Sequence, residues 1–179
     1  MPETIINPII KDEVSFTESS RSTNGRITTL QVKLMPGGGT PMHFHKKFSE
    51  TFIVTKGILT LTLKEKKIHL NAGEKLVVER DQWHCFSNEF LVPTVFTTII
   101  QPGSVGFENA LRILYGLAKD RKTDEKGIPR NPLALAVVSR ISDMHIAGPR
   151  LLMLPLFAML NLIAIVTGYK HRLLKKYCS

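Results

Sequence analysis

The chain has 179 residues, with 43% hydrophobic and 22% charged residues and a formal net charge of +9. That length suits one domain with a real core plus an appendage and is too short for two full-sized domains, and the composition excludes a disordered chain. The charge is unevenly placed: residues 1–104 carry 12 Lys/Arg against 10 Asp/Glu, whereas residues 105–179 carry 12 against 5, so the second part holds +7 of the total. The basic residues are not interleaved with exposed aromatics and no helix-turn-helix pattern is present, which argues against a nucleic-acid role.

From Thr4 to about Gln101 short runs of β-branched and aromatic residues alternate with turn signals, as in an all-β sandwich or barrel. Strands are predicted over residues 26–35, 51–55, 58–64, 75–79 and 94–100, within a total of eight to ten. Between them stand Asn24-Gly25, Pro36 to Gly39, Lys56-Gly57 and Asn71-Ala72-Gly73, where Gly and Asn tolerate the positive φ of a chain reversal. MPETIINPII lacks the basic and long apolar regions of a secretory signal, and Cys85 and Cys178 form no spaced pair, so the barrel is expected in the reducing cytosol.

After Pro102-Gly103 the period changes. Phe107, Leu111, Leu114 and Leu117 or Ala118 recur at helical spacing, a polar break follows over residues 119–127, and a second helix is predicted over 132–144, capped by Asn131, with Pro132 at its first position and Gly148-Pro149 ending it. Residues 151–169 carry no formal charge and are almost wholly apolar. Such a run packs at a dimer or barrel interface, or associates with a membrane; Pro155 and Asn161 interrupt it and basic residues flank both ends. The division expected is a barrel over 1–104 and an α-helical extension over 105–179, with a homodimer as the expected assembly and a membrane or partner contact through 151–179 as its rival.

The chemistry concentrates in His43, His45, Glu50 and His84. Two histidines at i and i+2 project from one face of a strand, and Glu50 follows after a turn that can return it to that face. His84 lies on a later strand, with Asn88 four residues on. Three imidazoles and a carboxylate suit zinc, iron, nickel, manganese or copper and leave coordination positions open for substrate. His69, His145 and His171 have no spaced companions and read as structural or surface residues. Phe52, in step with Glu50, and Phe86, in step with His84, are assigned with Met35 to an apolar substrate pocket; Trp83 and Cys85 have the opposite parity.

These residues resemble the two motifs of the cupins. Gly37, His43, His45, Glu50 and Gly57 match every fixed position of the first motif, a glycine, five residues, HxH, three or four residues, Glu, six residues and a glycine. Gly73, His84 and Asn88 match the second, while Glu79 and Asp81 replace its proline and glycine, a change to a turn rather than a ligand. The resemblance covers residues 30–100 and implies a mainly β, double-stranded β-helix (jelly-roll) barrel, here followed by C-terminal α-helices. It implies one divalent metal ion per chain, zinc, iron, manganese or nickel, held by His43, His45, Glu50 and His84. The function expected is a metal-dependent enzyme, dioxygenase- or isomerase-like, acting on a small organic molecule. The alternative is a non-enzymatic small-ligand binding or sensing module whose basic tail contacts a partner or membrane.

Overall fold

The computed structural model describes residues 2–146 and 150–178, the side chains of 150–154 excepted. In chain order the elements are β1 (Thr4–Asn7), β2 (Asp12–Glu18), β3 (Thr28–Leu34), β4 (His43–Phe44), β5 (Ser49–Lys56), β6 (Ile58–Leu63), β7 (Lys66–Asn71), β8 (Lys75–Val78), β9 (His84–Ser87), β10 (Thr94–Gln101), α1 (Val105–Lys119), α2 (Pro132–Ser142), β11 (His145–Ile146), α3 (Arg150–Val166) and α4 (Tyr169–Tyr177). The predicted strands and the first two helices fall within a few residues of these bounds. The Gly148-Pro149 stop lies outside the described residues.

The strands form two facing sheets, β1-β2-β3-β10-β5-β8 and β11-β4-β9-β6-β7, with every pair antiparallel. Alternation sets which residues point between them: Val14 and Phe16, Leu30, Val32 and Leu34, Phe52 and Val54, and Phe96 and Ile100 are buried at every second position. Burying each such side chain stabilises the barrel by roughly 1.5–3 kcal/mol. At Gly57 the chain turns with φ +78°, and a Cβ there would meet Pro93 O at 2.9 Å, so only glycine fits.

The extension is built onto the barrel. Ser104 caps α1 by accepting from Phe107 N, and Asn131 caps α2 by accepting from Leu133 N and Ala134 N. Buried Glu108 on α1 accepts from Ser20 N at 2.6 Å and Thr28 Oγ1 at 2.7 Å, tying the helix to two barrel segments. A second apolar cluster, formed by Ile113, Leu117, Val137, Val138, Ala164 and Leu173 among others, joins α1, α2, α3 and α4. After α2 the chain returns to the barrel, where β11 pairs with β4, His145 opposite Phe44 and Ile146 opposite His43.

Within the apolar run 151–169, residues 151–166 lie in α3, and Gly168 at φ +68° separates them from α4, to which only Tyr169 of the run belongs. Among the described residues no helix is long and apolar enough to cross a membrane. α3 packs on α2 and α4 with Ala164 buried, while Leu162 and Val166 are 59% and 78% exposed.

Candidate metal centre

β4, β5 and β9 each deliver part of the cluster. His43 and His84 face each other across the β4–β9 pair, His45 follows at i+2, and Glu50 enters from the opposite sheet. All four residues are buried, and one ligand atom from each lies within 4.8 Å of all the others.

The hydrogen bonds fix which nitrogens face inward. The Nδ1 atom of His43 lies 2.7 Å from Pro41 O, that of His45 3.1 Å from Asp143 O, and that of His84 2.9 Å from Gln82 O. A carbonyl oxygen only accepts, so each Nδ1 carries a proton and each Nε2 is left for the centre. This outer layer of backbone acceptors is the arrangement that orients histidine ligands around metals.

The protons of the metal-free cluster follow from the same contacts. His84 Nε2 stands 2.8 Å from Glu50 Oε2, and with both ring nitrogens facing acceptors it is a cation, its pKa raised because Glu50 outweighs burial. Burial opposes ionisation of Glu50, yet the His84 hydrogen bond and the nearby imidazoles hold its carboxyl well below the usual range. His43 is pushed down to about 3 by burial and by His84 and His45. Burial also lowers His45, whose Nε2 is enclosed and has no hydrogen-bond partner. An ionised carboxylate, two neutral imidazoles and a buried nitrogen lone pair without a donor fit a divalent cation, which would replace the His84 proton. The four residues are compatible with a single metal site, and the donor set does not single out one ion.

Asp143 governs the far side of His45. It sits at the end of α2 with φ +55°; besides its carbonyl contact to His45, its Oδ2 accepts from Lys46 N and Lys47 N, each at 2.7 Å. His145 approaches Asp143 Oδ1 at 3.3 Å and stacks on Phe44, so it supports this loop. Asn88 is likewise structural: its Nδ2 donates to Leu34 O and Val92 O, and its backbone bonds Gly37 and Gly38. Asp81 takes the glycine position of the second motif in the left-handed conformation, φ +61°, and donates its N–H to His45 O at 2.7 Å.

His43 and Glu50 open onto a mostly apolar cavity of about 100 Å³ between the barrel, α1, α2 and the loop before α2. Phe86 lines it with Val14, Leu30, Val32, Phe107 and Leu111. Phe52 lies beneath, fully buried, with its ring 6.4 Å from His84. Met35 is 42% exposed and stands outside the lining. Trp83 stacks on Phe44 away from the cavity, and Cys85 is half-buried with its thiol pKa raised by burial. The cavity also holds polar side chains that the sequence did not single out, Asp12, Thr98 and Tyr115. The available signal was parity: Asp12 precedes Val14 and Phe16 on the inward face of β2, where an acid is out of place.

Residues 30–100 match the family model described as cupin domain. No curated protein matches the sequence. Among solved structures the chain is similar to a cupin-superfamily sugar phosphate isomerase from Silicibacter pomeroyi, 18% identical over 56% of this chain and 71% of that one, with a TM-score of 0.50. It is also similar to the polyketide cyclase RemF from Streptomyces resistomycificus (19% identity, 56% and 73% covered, TM-score 0.50) and to a predicted oxalate decarboxylase from Thermotoga maritima (20%, 57% and 92%, 0.50). At these identities the likeness establishes the jelly-roll fold; the three named activities differ from one another.

Proposed function

We propose that the protein is a metal-dependent enzyme that binds a small, mostly apolar, oxygen-bearing organic molecule in the cavity beside His43 and Glu50 and carries out isomerising or oxidative chemistry on it. The observation that carries this reading is the convergence of His43, His45, Glu50 and His84 within 4.8 Å at the wall of an apolar cavity, with every Nδ1 turned away to a carbonyl. A divalent ion held by these residues would supply Lewis acidity and, if iron or manganese, redox capacity.

The chain's own residues would do the rest. The Pro41, Gln82 and Asp143 carbonyls keep the imidazoles in register, so the site is organised before a ligand arrives. The apolar walls exclude water and strengthen the polar contacts made inside. Among the described lining residues Lys126 is the one Lys or Arg, which supports an uncharged or singly charged ligand over a phosphorylated one.

Elemental analysis of gently purified protein beside a His45→Ala variant tests the reading. Near-stoichiometric iron, manganese, nickel or zinc should fall to below about a tenth of that ratio in the variant, since losing one of four ligands costs several kcal/mol of affinity. No metal in either protein, even after anaerobic reconstitution, overturns the reading.

A ligand-sensing module is the second reading, motivated by the +7 charge of residues 105–179. Removing the extension does not separate the two, because Asp143 and β11 belong to the structure around His45 and His43. Turnover by the intact chain favours the enzyme; ligand binding without turnover favours the sensor.

A further inference from the structure

The cavity that reaches His43 and Glu50 has a second polar end. Asp12 enters from β2 and is 4% exposed; its Oδ2 accepts a 2.5 Å hydrogen bond from the Tyr115 hydroxyl on α1. Its other oxygen, Oδ1, is buried without a partner, and so is Thr98 Oγ1 on β10. Asn7 Nδ2, opposite Asp12 in the β1–β2 pair, is a third unpartnered polar atom. Unpaired buried polar atoms are costly, and Asp12 Oδ1 stands on the cavity wall with Asn7 opposite it in the strand pair, which marks a place where a ligand can supply the partner; Thr98 lies four residues along β10 from the Asp12 row, nearer Glu50.

We propose that the Asp12–Tyr115 end of the cavity is a polar subsite for a hydroxyl or carbonyl oxygen of the ligand, and that Asp12 Oδ1 exchanges a proton with that oxygen. The proton moves from a ligand O–H to Oδ1, or back, while the Tyr115 hydroxyl keeps donating to Oδ2; no bond but the O–H is made or broken. Burial pushes the Asp12 carboxyl up to about 7 even though the Tyr115 hydrogen bond pulls the other way, so both of its protonation states are accessible near neutrality. Tyr115 itself is held neutral, its pKa raised well above 10 by burial and by Asp12. The other titratable groups on the cavity are Lys126, His43 and Glu50; across the strand pairs Asp12 faces uncharged Asn7 and Leu34. The ligand class that fits both ends is a compact hydrocarbon frame with one oxygen toward the His/Glu cluster and a second toward Asp12.

This subsite rests on the proposed ligand-binding role of the cavity, and its test separates the two. Cyclopentanol and cyclopentane are titrated into the full chain by NMR, in parallel with its metal-to-chain ratio. The comparison protein is the Asp12→Leu/Tyr115→Phe double variant, which removes both partners of the hydrogen bond together and so leaves neither unpaired. The preference for the alcohol should fall about tenfold in the double variant. A preference unchanged in the variant, or no binding of either probe to the wild type, overturns the subsite. A preference that falls in protein with no capacity for metal upholds the subsite and overturns the metal reading instead.

A different observation carries a second inference. On α3, Leu156, Met159, Leu162, Ile163, Ile165 and Val166 are 39–78% exposed and lie within about half the helix circumference, opposite buried Ala164. α4, which follows after Gly168, carries exposed His171, Arg172, Lys175 and Lys176, with Lys176 also paired to Asp120. We infer that the face seats on an anionic lipid surface, with α3 lying in the interface plane and the basic helix on the headgroups. A second copy would bring one +7 extension against another, which like-charge repulsion opposes. The intact chain should co-sediment with phosphatidylglycerol-rich vesicles and about tenfold less with pure phosphatidylcholine. Leu162→Glu should abolish the binding and leave the sedimentation coefficient of the lipid-free protein unchanged. Equal binding to both vesicles, none to either, or a dimer that the variant converts to monomer overturns the lipid surface as occupant.

Discussion

The barrel and its helical extension treat apolar surface in opposite ways. Between the sheets Phe52, Phe96, Leu34 and Ile100 are wholly enclosed, whereas α3 turns a row of leucine, isoleucine, methionine and valine outward. The barrel completes its own core; the extension completes the barrel's site and keeps an apolar face for something else. The first task needs strict alternation, which a sequence records. The second is set by contacts between residues far apart, which it does not.

Phe52→Ala should give the largest effect on that contrast. The ring is fully buried against His84, Phe86 and Phe96, and removing it should cost about 3–5 kcal/mol in denaturant unfolding. A much smaller loss would mean the barrel is not the rigid partner.

Next is the pH dependence at the seam between the two regions. The Asp12 carboxyl is pushed from 3.8 up to about 7 in the folded chain, so that the native state holds its proton more tightly than the unfolded one. The resulting stability is fully present below about pH 4 and is lost as the pH climbs through about 7, on the order of 4 kcal/mol in all. Unfolding curves across this range should slope downward in wild type relative to Asp12→Asn; parallel curves would show that the carboxyl is not perturbed.

Asp143→Ala should cost about 1–2 kcal/mol, as for loss of a helix-cap side chain, because Lys46 N and Lys47 N lose their acceptor. Metal affinity should fall about 10–100-fold while the four ligands stay in place. Unchanged affinity in a chelator competition would separate the extension from the site. Smallest of all, Leu162→Ser should change stability by less than about 0.5 kcal/mol, since the side chain is 59% exposed.

Much of this was legible in the amino-acid order. The i, i+2 histidines, the return of Glu50 and the later His84 place four side chains together because strand parity is local and turns at Gly37, Gly57 and Gly73 are marked by residue type. The cap Asn131 sits where helix chemistry puts it. Asp143 was hidden because its contact with His45 spans 98 positions and leaves no periodic trace. Tyr115 was hidden for the same reason, 103 positions from Asp12. β11 is two residues long, too short for alternation to register. Met35 follows the last residue of β3 and has the parity opposite to inward-facing Leu30, Val32 and Leu34, so it stands outside the barrel's inner face.

The pairing of β11 with β4 also orders events during synthesis. His43 and Phe44 are translated about a hundred residues before His145 and Ile146, the segment that covers their strand edge. A nascent chain that has already closed both sheets around Phe52 still has an open edge at its ligand-bearing strand, and the His45 ring still lacks its carbonyl acceptor. Until the end of α2 leaves the ribosome, the cluster of His43, His45, Glu50 and His84 is one wall short, and the unfinished edge is where a stalled product would pair with the wrong neighbour.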